Sequence, residues 1–231
     1  MKKKYYIIFL IFAATITGSA QDTKYGGAFL ELGIGPRALG MGGAFVALAD
    51  DGSGFYWNAA GPASLPGFNV SMMYANMFNN LENHGYASVS MPIFGGAVVS
   101  ASWIRLAVED IPRYWDNNLL LSRDTRYQDP IGSGLRAPST DSFTFANNAY
   151  FISFSKLSRV EADFGWQYFQ LPIDISYGVN FKLLDIGLDD KKGSGLGIDL
   201  GLKFLAGLDD MFADDGFGDL SMAVAVQDLF K

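Results

Sequence analysis

From about Phe68 onward the chain alternates between apolar and polar or small residues. Val70, Met72, Tyr74 and Phe78 are separated by Ser71, Ala75 and similar residues, and Ala87, Val89, Met91 and Ile93 alternate with Ser88 and Ser90. Ala97, Val99, Ala101 and Trp103 alternate with Ser100 and Ser102, and Tyr150, Ile152 and Phe154 with Ser153 and Ser155. A period of two is the mark of strands with two unlike faces. Two later runs are the clearest. Ile173, Ile175, Tyr177, Val179, Phe181 and Leu183 face away from Asp174, Ser176, Gly178, Asn180 and Lys182. Leu196, Ile198, Leu200, Leu202 and Phe204 face away from Gly197, Asp199, Gly201 and Lys203. Each apolar face is unbroken over about 9–11 residues, the length of a tilted strand crossing a bilayer. An ordinary strand runs to about 5–6 residues. A last strand starts at Leu220, Met222, Val224 and Val226.

The connections predicted between these strands are a polar loop Asn79–Gly85, a tight turn at Gly95-Gly96 and a hairpin loop Asp189–Gly195. One connection, about 109–148, is long and aperiodic, with Pro112, Pro130 and Pro138. Such length counts against a compact soluble domain and suits the outer loop of a membrane barrel. Its Arg113, Tyr114, Trp115, Arg123, Arg126, Tyr127 and Arg136 offer an anionic or sugar partner a surface, although a plain solvated loop is the reading favoured. Asp209, Asp210, Asp214, Asp215 and Asp219 lack the alternate spacing of a calcium loop and read as a polar turn.

The N-terminus supplies a different signal. Lys2-Lys-Lys4, the apolar run Tyr5–Ile16 and Gly18-Ser-Ala20 form the three parts of an export signal over residues 1–20. The apolar run is too short to span a bilayer, which takes about 20 residues. Export, alternating strands and the need to pair every amide in hydrocarbon together predict an all-β fold, a transmembrane antiparallel β-barrel with about seven to eight strands recognisable. The predicted organisation is signal 1–20, a leader and plug over 21–67, and barrel strands over 68–231.

Gly33 to Asn58 is neither signal nor strand. Small residues from Ala38 to Ala49 predict a short, closely packed helix, followed by Asp50-Asp-Gly-Ser-Gly54 and the aromatics before Asn58. Arg37-Ala-Leu-Gly-Met-Gly-Gly-Ala-Phe-Val-Ala-Leu-Ala-Asp-Asp-Gly-Ser-Gly-Phe-Tyr-Trp-Asn-Ala-Ala-Gly61 resembles the N-terminal signature of the PorV/PorQ proteins, relatives of the FadL outer-membrane transporters. The family's Asn-Pro-Ala stands here as Asn58-Ala59-Ala60, with Pro62 following. Gly178-Val-Asn-Phe-Lys182 and Gly197-Ile-Asp-Leu-Gly201 look like two recurrent strand motifs of the same group. The resemblance implies an N-terminal hatch inside the barrel, with Arg37, Gly40, Gly42, Gly43, Asp50, Asp51, Trp57 and Asn58 as hatch or gate residues. It also implies a role in, or accessory to, type IX protein secretion. The alternatives are a FadL-like channel for long-chain fatty acids or other hydrophobic solutes, and a structural or adhesive surface barrel.

The count of about seven strands is odd, whereas bacterial single-chain barrels are even-numbered and the FadL-like design has fourteen. Three explanations follow: part of a longer reading frame, which is favoured; a short barrel of about eight strands, with Asp163–Gln170 as another strand and Phe230 as the terminal aromatic; or assembly with a second chain. On the inner face Asp174, Asn180, Lys182, Asp199 and Lys203 are expected to point into the lumen, more as cross-strand pairs than as a solute path.

Composition narrows the function classes. The chain has no cysteine and one histidine, which removes thiol chemistry and leaves no imidazole cluster for a metal. Formal charge is −7; without Lys2, Lys3 and Lys4, 14 cations face 24 anions, giving −10, which opposes nucleic-acid binding. Gly33-Ile-Gly-Pro-Arg-Ala38 matches a dinucleotide fingerprint only formally, because it lacks the flanking βαβ unit. No enzyme activity and no cofactor is expected. The partners expected are outer-membrane lipid in a Gram-negative bacterium, secretion machinery or exported proteins, and hydrophobic small molecules.

Overall fold

The computed structural model describes residues 27–112, 124, 141–163, 170–207 and 218–229. The expected signal, most of the 109–148 connection with its arginines, Asp209 to Asp215 and Phe230 lie outside these residues. The described chain is all-β, with a few short helical turns near its start.

Seven strands form one antiparallel meander in sequence order, curved into a half-barrel. They are β1 (Asn69–Met77), β2 (Glu82–Pro92), β3 (Ala97–Pro112), β4 (Ser142–Asp163), β5 (Gln170–Leu188), β6 (Lys191–Gly207) and β7 (Asp219–Val226). Several are longer than the alternation predicted. β4 has 22 residues, β5 has 19 and β6 has 17. β3 and β4 extend into the predicted long loop, and a bulge between Val108 and Ile111, with Asp110 at φ 55°, keeps their pairing going. The expected loop Asn79–Gly85 shrinks because β2 starts at Glu82, and Phe78 belongs to the turn, at φ 52°. The expected loop Asp189–Gly195 shrinks to two residues, because Lys191 to Gly195 pair with Leu184 to Leu188. Glycine and charge made that stretch look like a loop, yet a neighbouring strand supplies its pairing. Asp163 and Gln170, which bound the stretch expected to supply a further strand, pair as the ends of β4 and β5, and 164–169 lie outside the described residues.

The register lines residues up in rows that cross the sheet. On the inner face one row is Asn69, Ser90, Ser100, Ser153, Asn180 and Asp199, and the next is Ser71, Ser88, Ser102, Phe151, Lys182 and Gly197. A third runs Ser155, Gly178 and Gly201. On the outer face the rows are Ala87, Trp103, Tyr150, Leu183 and Leu196, then Val89, Ala101, Ile152, Phe181 and Ile198, then Met91, Val99, Phe154, Val179 and Leu200. The burial is inverted relative to a water-soluble sandwich. Leu196 is 75 % exposed and Met72 77 %, whereas Asn180 is 1 % and Lys182 4 % exposed.

The inner face is covered by residues 27–67. This segment holds a turn at Ala28–Leu32, a helix at Pro36–Gly40, a four-residue helix at Gly54–Trp57 and a turn at Gly61–Ser64. The expected helix over Ala38–Ala49 is therefore shorter and earlier. Pro36 starts it with φ preset, and Gly42 and Gly43, at φ 65° and 81°, end it. Phe29, Leu30, Ile34 and Phe55 meet Tyr86, Ile104, Leu106, Ala149 and Phe151 of the sheet in one core. Phe55 sits edge-on to Phe151 at 5.2 Å and to Tyr86 at 6.3 Å between centroids. Such aromatic pairs add about 0.5–1.5 kcal/mol beyond area burial.

The closest approach occurs at two glycines paired across β5 and β6. A Cβ on Gly178 would lie 2.1 Å from the Ala59 carbonyl oxygen, and one on Gly201 would lie 2.0 Å from Asn58 Oδ1. No side chain fits there. Gly201→Val is therefore expected to lift residues 58–60 off the sheet and make 52–61 sensitive to limited proteolysis. Gly193→Val, on the same strand with open space around it, leaves the digestion pattern unchanged.

Candidate functional site

The contact between segment 27–67 and the inner wall gathers most of the residues singled out in the sequence. Asn58 is its pivot. Its Oδ1 accepts from Ala60 N at 2.9 Å, and its Nδ2 donates to the Val46 carbonyl at 3.1 Å and the Leu202 carbonyl at 3.5 Å. One side chain thus caps its own turn and ties it to both the segment and β6. Trp57 Nε1 donates to the Ile34 carbonyl at 2.9 Å, and its ring meets Phe45 edge-on at 6.4 Å. Asp51 accepts from Ser53 N and Oγ at 2.8 and 2.6 Å, fixing the turn before the second helix. Arg37 pairs with Asp50 and lies 5.3 Å from the Phe45 ring centre, on the exposed side of the segment.

Gly40, Gly42 and Gly43 are not the close-packing glycines. A Cβ on Gly40 or Gly42 would meet nothing within 4 Å, and one on Gly43 would meet only the Trp57 ring, at 3.4 Å. The tight packing within the segment falls instead on Gly54 and Gly61, whose built Cβ atoms lie 2.9 and 2.8 Å from the Ala49 carbonyl oxygen.

The wall residues form pairs, but only one opposite-charge pair lies within the expected set. Lys182 Nζ lies 3.1 Å from Asp199 Oδ1, with both side chains 4 % exposed. Asp228 joins this pair at 2.8 Å from the same ammonium, and its backbone N–H donates to Asp199 Oδ1 at 3.0 Å. Asn180 Nδ2 donates to the Phe55 carbonyl at 2.8 Å and to Asp199 Oδ2 at 3.4 Å. Lys203 holds the Leu48 carbonyl and lies 3.2 Å from Ser64 Oγ. Asp174 stands apart from the segment; Arg159 grips both its oxygens, at 2.6 and 2.8 Å.

Several participants carried no sequence signal. Ser88 Oγ donates to the Gly52 carbonyl at 2.7 Å, Ser221 Oγ to the Ala47 carbonyl, and Gln227 Nε2 to the Tyr56 carbonyl at 2.8 Å. Tyr56 donates its hydroxyl to the Leu30 carbonyl. Burial pushes that hydroxyl up to about 12, with smaller contributions from the Glu31, Asp199 and Asp228 carboxylates. The serines were visible only as the polar half of the alternation, and Gln227 and Asp228 follow the last periodic residue. At this end of the trough a cavity of about 390 Å³ lies between the segment, β5, β6 and Gln227-Asp228. Among the described residues no cluster of His, Cys, Asp and Glu is placed to hold a metal ion.

Residues 11–106 match the model of an uncharacterised protein family, UPF0164. Within the described residues, the UPF0164 match takes in the segment, β1, β2 and β3 as far as Leu106, and so the half of the contact that Asn58, Trp57 and Ser88 supply. Lys182, Asp199, Gly178 and Gly201, on β5 and β6, lie beyond it. No curated protein and no solved structure matches the chain.

Breaking the buried charge group on one side only should cost most. Lys182→Met leaves Asp199 uncompensated and is expected to destabilise the fold by about 3–5 kcal/mol, with Lys182→Met combined with Asp199→Asn recovering much of it, read by thermal unfolding. A second prediction concerns alkaline pH. Folded Tyr56 keeps a proton that the unfolded chain releases near pH 10. Its stabilising contribution is full below that pH and is lost as pH rises through about 12. Melting temperatures between pH 10 and 12 should therefore fall less steeply in Tyr56→Phe than in the unchanged chain.

Proposed function

We propose that this chain forms part of an outer-membrane β-barrel whose lumen is plugged by residues 27–67, and that it serves as a component of, or accessory to, type IX protein secretion, as its resemblance to PorV/PorQ implies. One observation carries the membrane reading: the apolar outer face and the buried polar inner face. On β5 the outer side chains are apolar from Ile173 to Leu183. That is ten steps of about 3.3 Å, which at a tilt of about 40° makes a band roughly 25 Å tall, the height of the lipid-facing belt of such barrels. The next outer row is polar, with Arg105, Asn148, Asp185 and Ser194.

The two sheet edges limit how such a barrel can close. β1 and β7 run in the same direction, because an odd number of antiparallel strands separates one edge of the meander from the other. Antiparallel closure then takes an odd number of further strands. In hydrocarbon both edges must be paired, since a bare amide costs several kcal/mol there. A second copy with the same membrane orientation would place β1 beside β7 in parallel.

A solute channel is the second reading, favoured by the cavity of about 390 Å³ between plug and wall. The cavity lies at the end of the sheet where β3 stops at Pro112 and β4 starts at Ser142. Deleting the gene in its host separates the two. The secretion role predicts loss of exported proteins from the medium with normal uptake of a labelled fatty acid. A normal secretome with lost uptake would replace it with the channel.

A further inference from the structure

The cavity beside Tyr56 has a sign. Three carboxylates, Glu31, Asp199 and Asp228, line it together with a single ammonium, Lys182, which leaves a net charge of −2. Lys182, 4 % exposed, is held at 3.1 Å from Asp199 and 2.8 Å from Asp228, so its charge is already met by two carboxylates. Glu31 is exposed and makes no ion pair among the described residues, and Asp228, 39 % exposed, uses one oxygen on Lys182. The remaining walls are apolar, with Leu184 and Ile186, and aromatic, with Tyr56 and Phe151. Aromatic faces bind organic cations, and carboxylates at a cavity mouth bind ammonium groups.

We infer that this cavity binds a compact amphiphilic amine, its alkyl or aryl body against Leu184, Ile186 and Phe151 and its ammonium group between Glu31 and Asp228, and that it rejects carboxylates of the same length. The volume lies within the range of small-ligand sites, roughly 300–1,000 Å³. The Tyr56 hydroxyl, raised first by burial and then by the same three carboxylates, experiences the negative potential that the ligand would neutralise. A fatty-acid anion would meet the reverse: its headgroup would face the Glu31 and Asp228 carboxylates, with the one cation already committed. The inference stands on the cavity alone and holds whether the barrel serves export or uptake.

The test uses the full chain in maltoside micelles at pH 7.5, titrated calorimetrically with n-octylamine and, separately, with octanoate. The two probes differ in headgroup sign, and micelle partitioning is subtracted using the variants in the same detergent. Saturable binding of octylamine with none of octanoate is expected. Glu31→Gln should weaken octylamine about tenfold, the effect of removing one nearby charge from a partly hydrated site, and Glu31→Lys should abolish it. Glu31 has no partner to lose among the described residues, so both variants should melt as the unchanged chain does. Octanoate binding as tightly as octylamine, octylamine failing to saturate, or Glu31→Gln leaving its affinity unchanged would each overturn the inference.

Discussion

A segment with no regular hydrogen-bond ladder leaves its carbonyls bare, and here the wall of the half-barrel supplies their donors. Ser88 takes the Gly52 carbonyl, Asn180 that of Phe55, Gln227 that of Tyr56, Lys203 that of Leu48 and Ser221 that of Ala47. Each bond is worth only about 0.5–1.5 kcal/mol net, but a buried carbonyl left without one costs about 1–3 kcal/mol. The asymmetry sets the composition of the whole inner face. Opposite these carbonyls the wall must carry a donor and under Asn58 to Ala60 a glycine, and its large apolar inner side chains are gathered where Phe29, Ile34 and Phe55 dock on Tyr86, Ile104, Leu106 and Phe151. The inverted burial of the sheet follows from the backbone needs of residues 47–60.

Space imposes the second condition. The turn Asn58-Ala59-Ala60 enters the wall at the Gly178–Gly201 pair, so the donors around it reach it at hydrogen-bond length. Asn180 lies two residues beyond Gly178 on β5 and Asp199 two before Gly201 on β6, and these two are paired across the strands. The pattern Gly-x-Asn-x-Lys facing Gly-x-Asp-x-Gly is thus one contact surface written on two strands. Its glycines admit the turn, its amide holds the Phe55 carbonyl, and its lysine and aspartate neutralise one another underneath.

Strand number, strand order and the two-faced character of the sheet were legible because period two survives over long runs, most plainly from Ile173 to Leu183. Boundaries were less legible. Lys191 to Gly195 reads as a loop by composition, yet it pairs along Leu184 to Leu188, because cross-strand pairing can hold glycine and lysine in a ladder that local preference disfavours. In the segment the resemblance directed attention to Asn58, Trp57 and Asp51, all of which hold turns. It also directed attention to Gly40 and Gly42, which face open space. Glycine's two uses, positive φ and close approach, look identical in a sequence. The part played by Asp228 could not be read at all, since its meeting with Lys182 depends on how β7 returns to the trough.

The anchorage of the segment is uneven, and that bears on how it could move. At Asn58 the turn is wedged against two strand glycines and bonded to β6, so withdrawal there would bare several carbonyls at once. At the cavity end the segment's hydrogen bonds are Tyr56 to Leu30, within itself, and Gln227 to Tyr56, from an exposed residue, and its hold on the wall is the packing of Phe29 and Leu30. An exposed hydrogen bond exchanges with water at little net cost. Phe29, Leu30 and Ile34 stay anchored in the core they share with Ile104, Leu106 and Phe151, so a ligand entering beside Tyr56 displaces only the Gln227 bond and leaves both that core and the wedge at Asn58 in place. Lys182 and Asp199 line the cavity, so their pair is the first buried group that an opening at this end would wet.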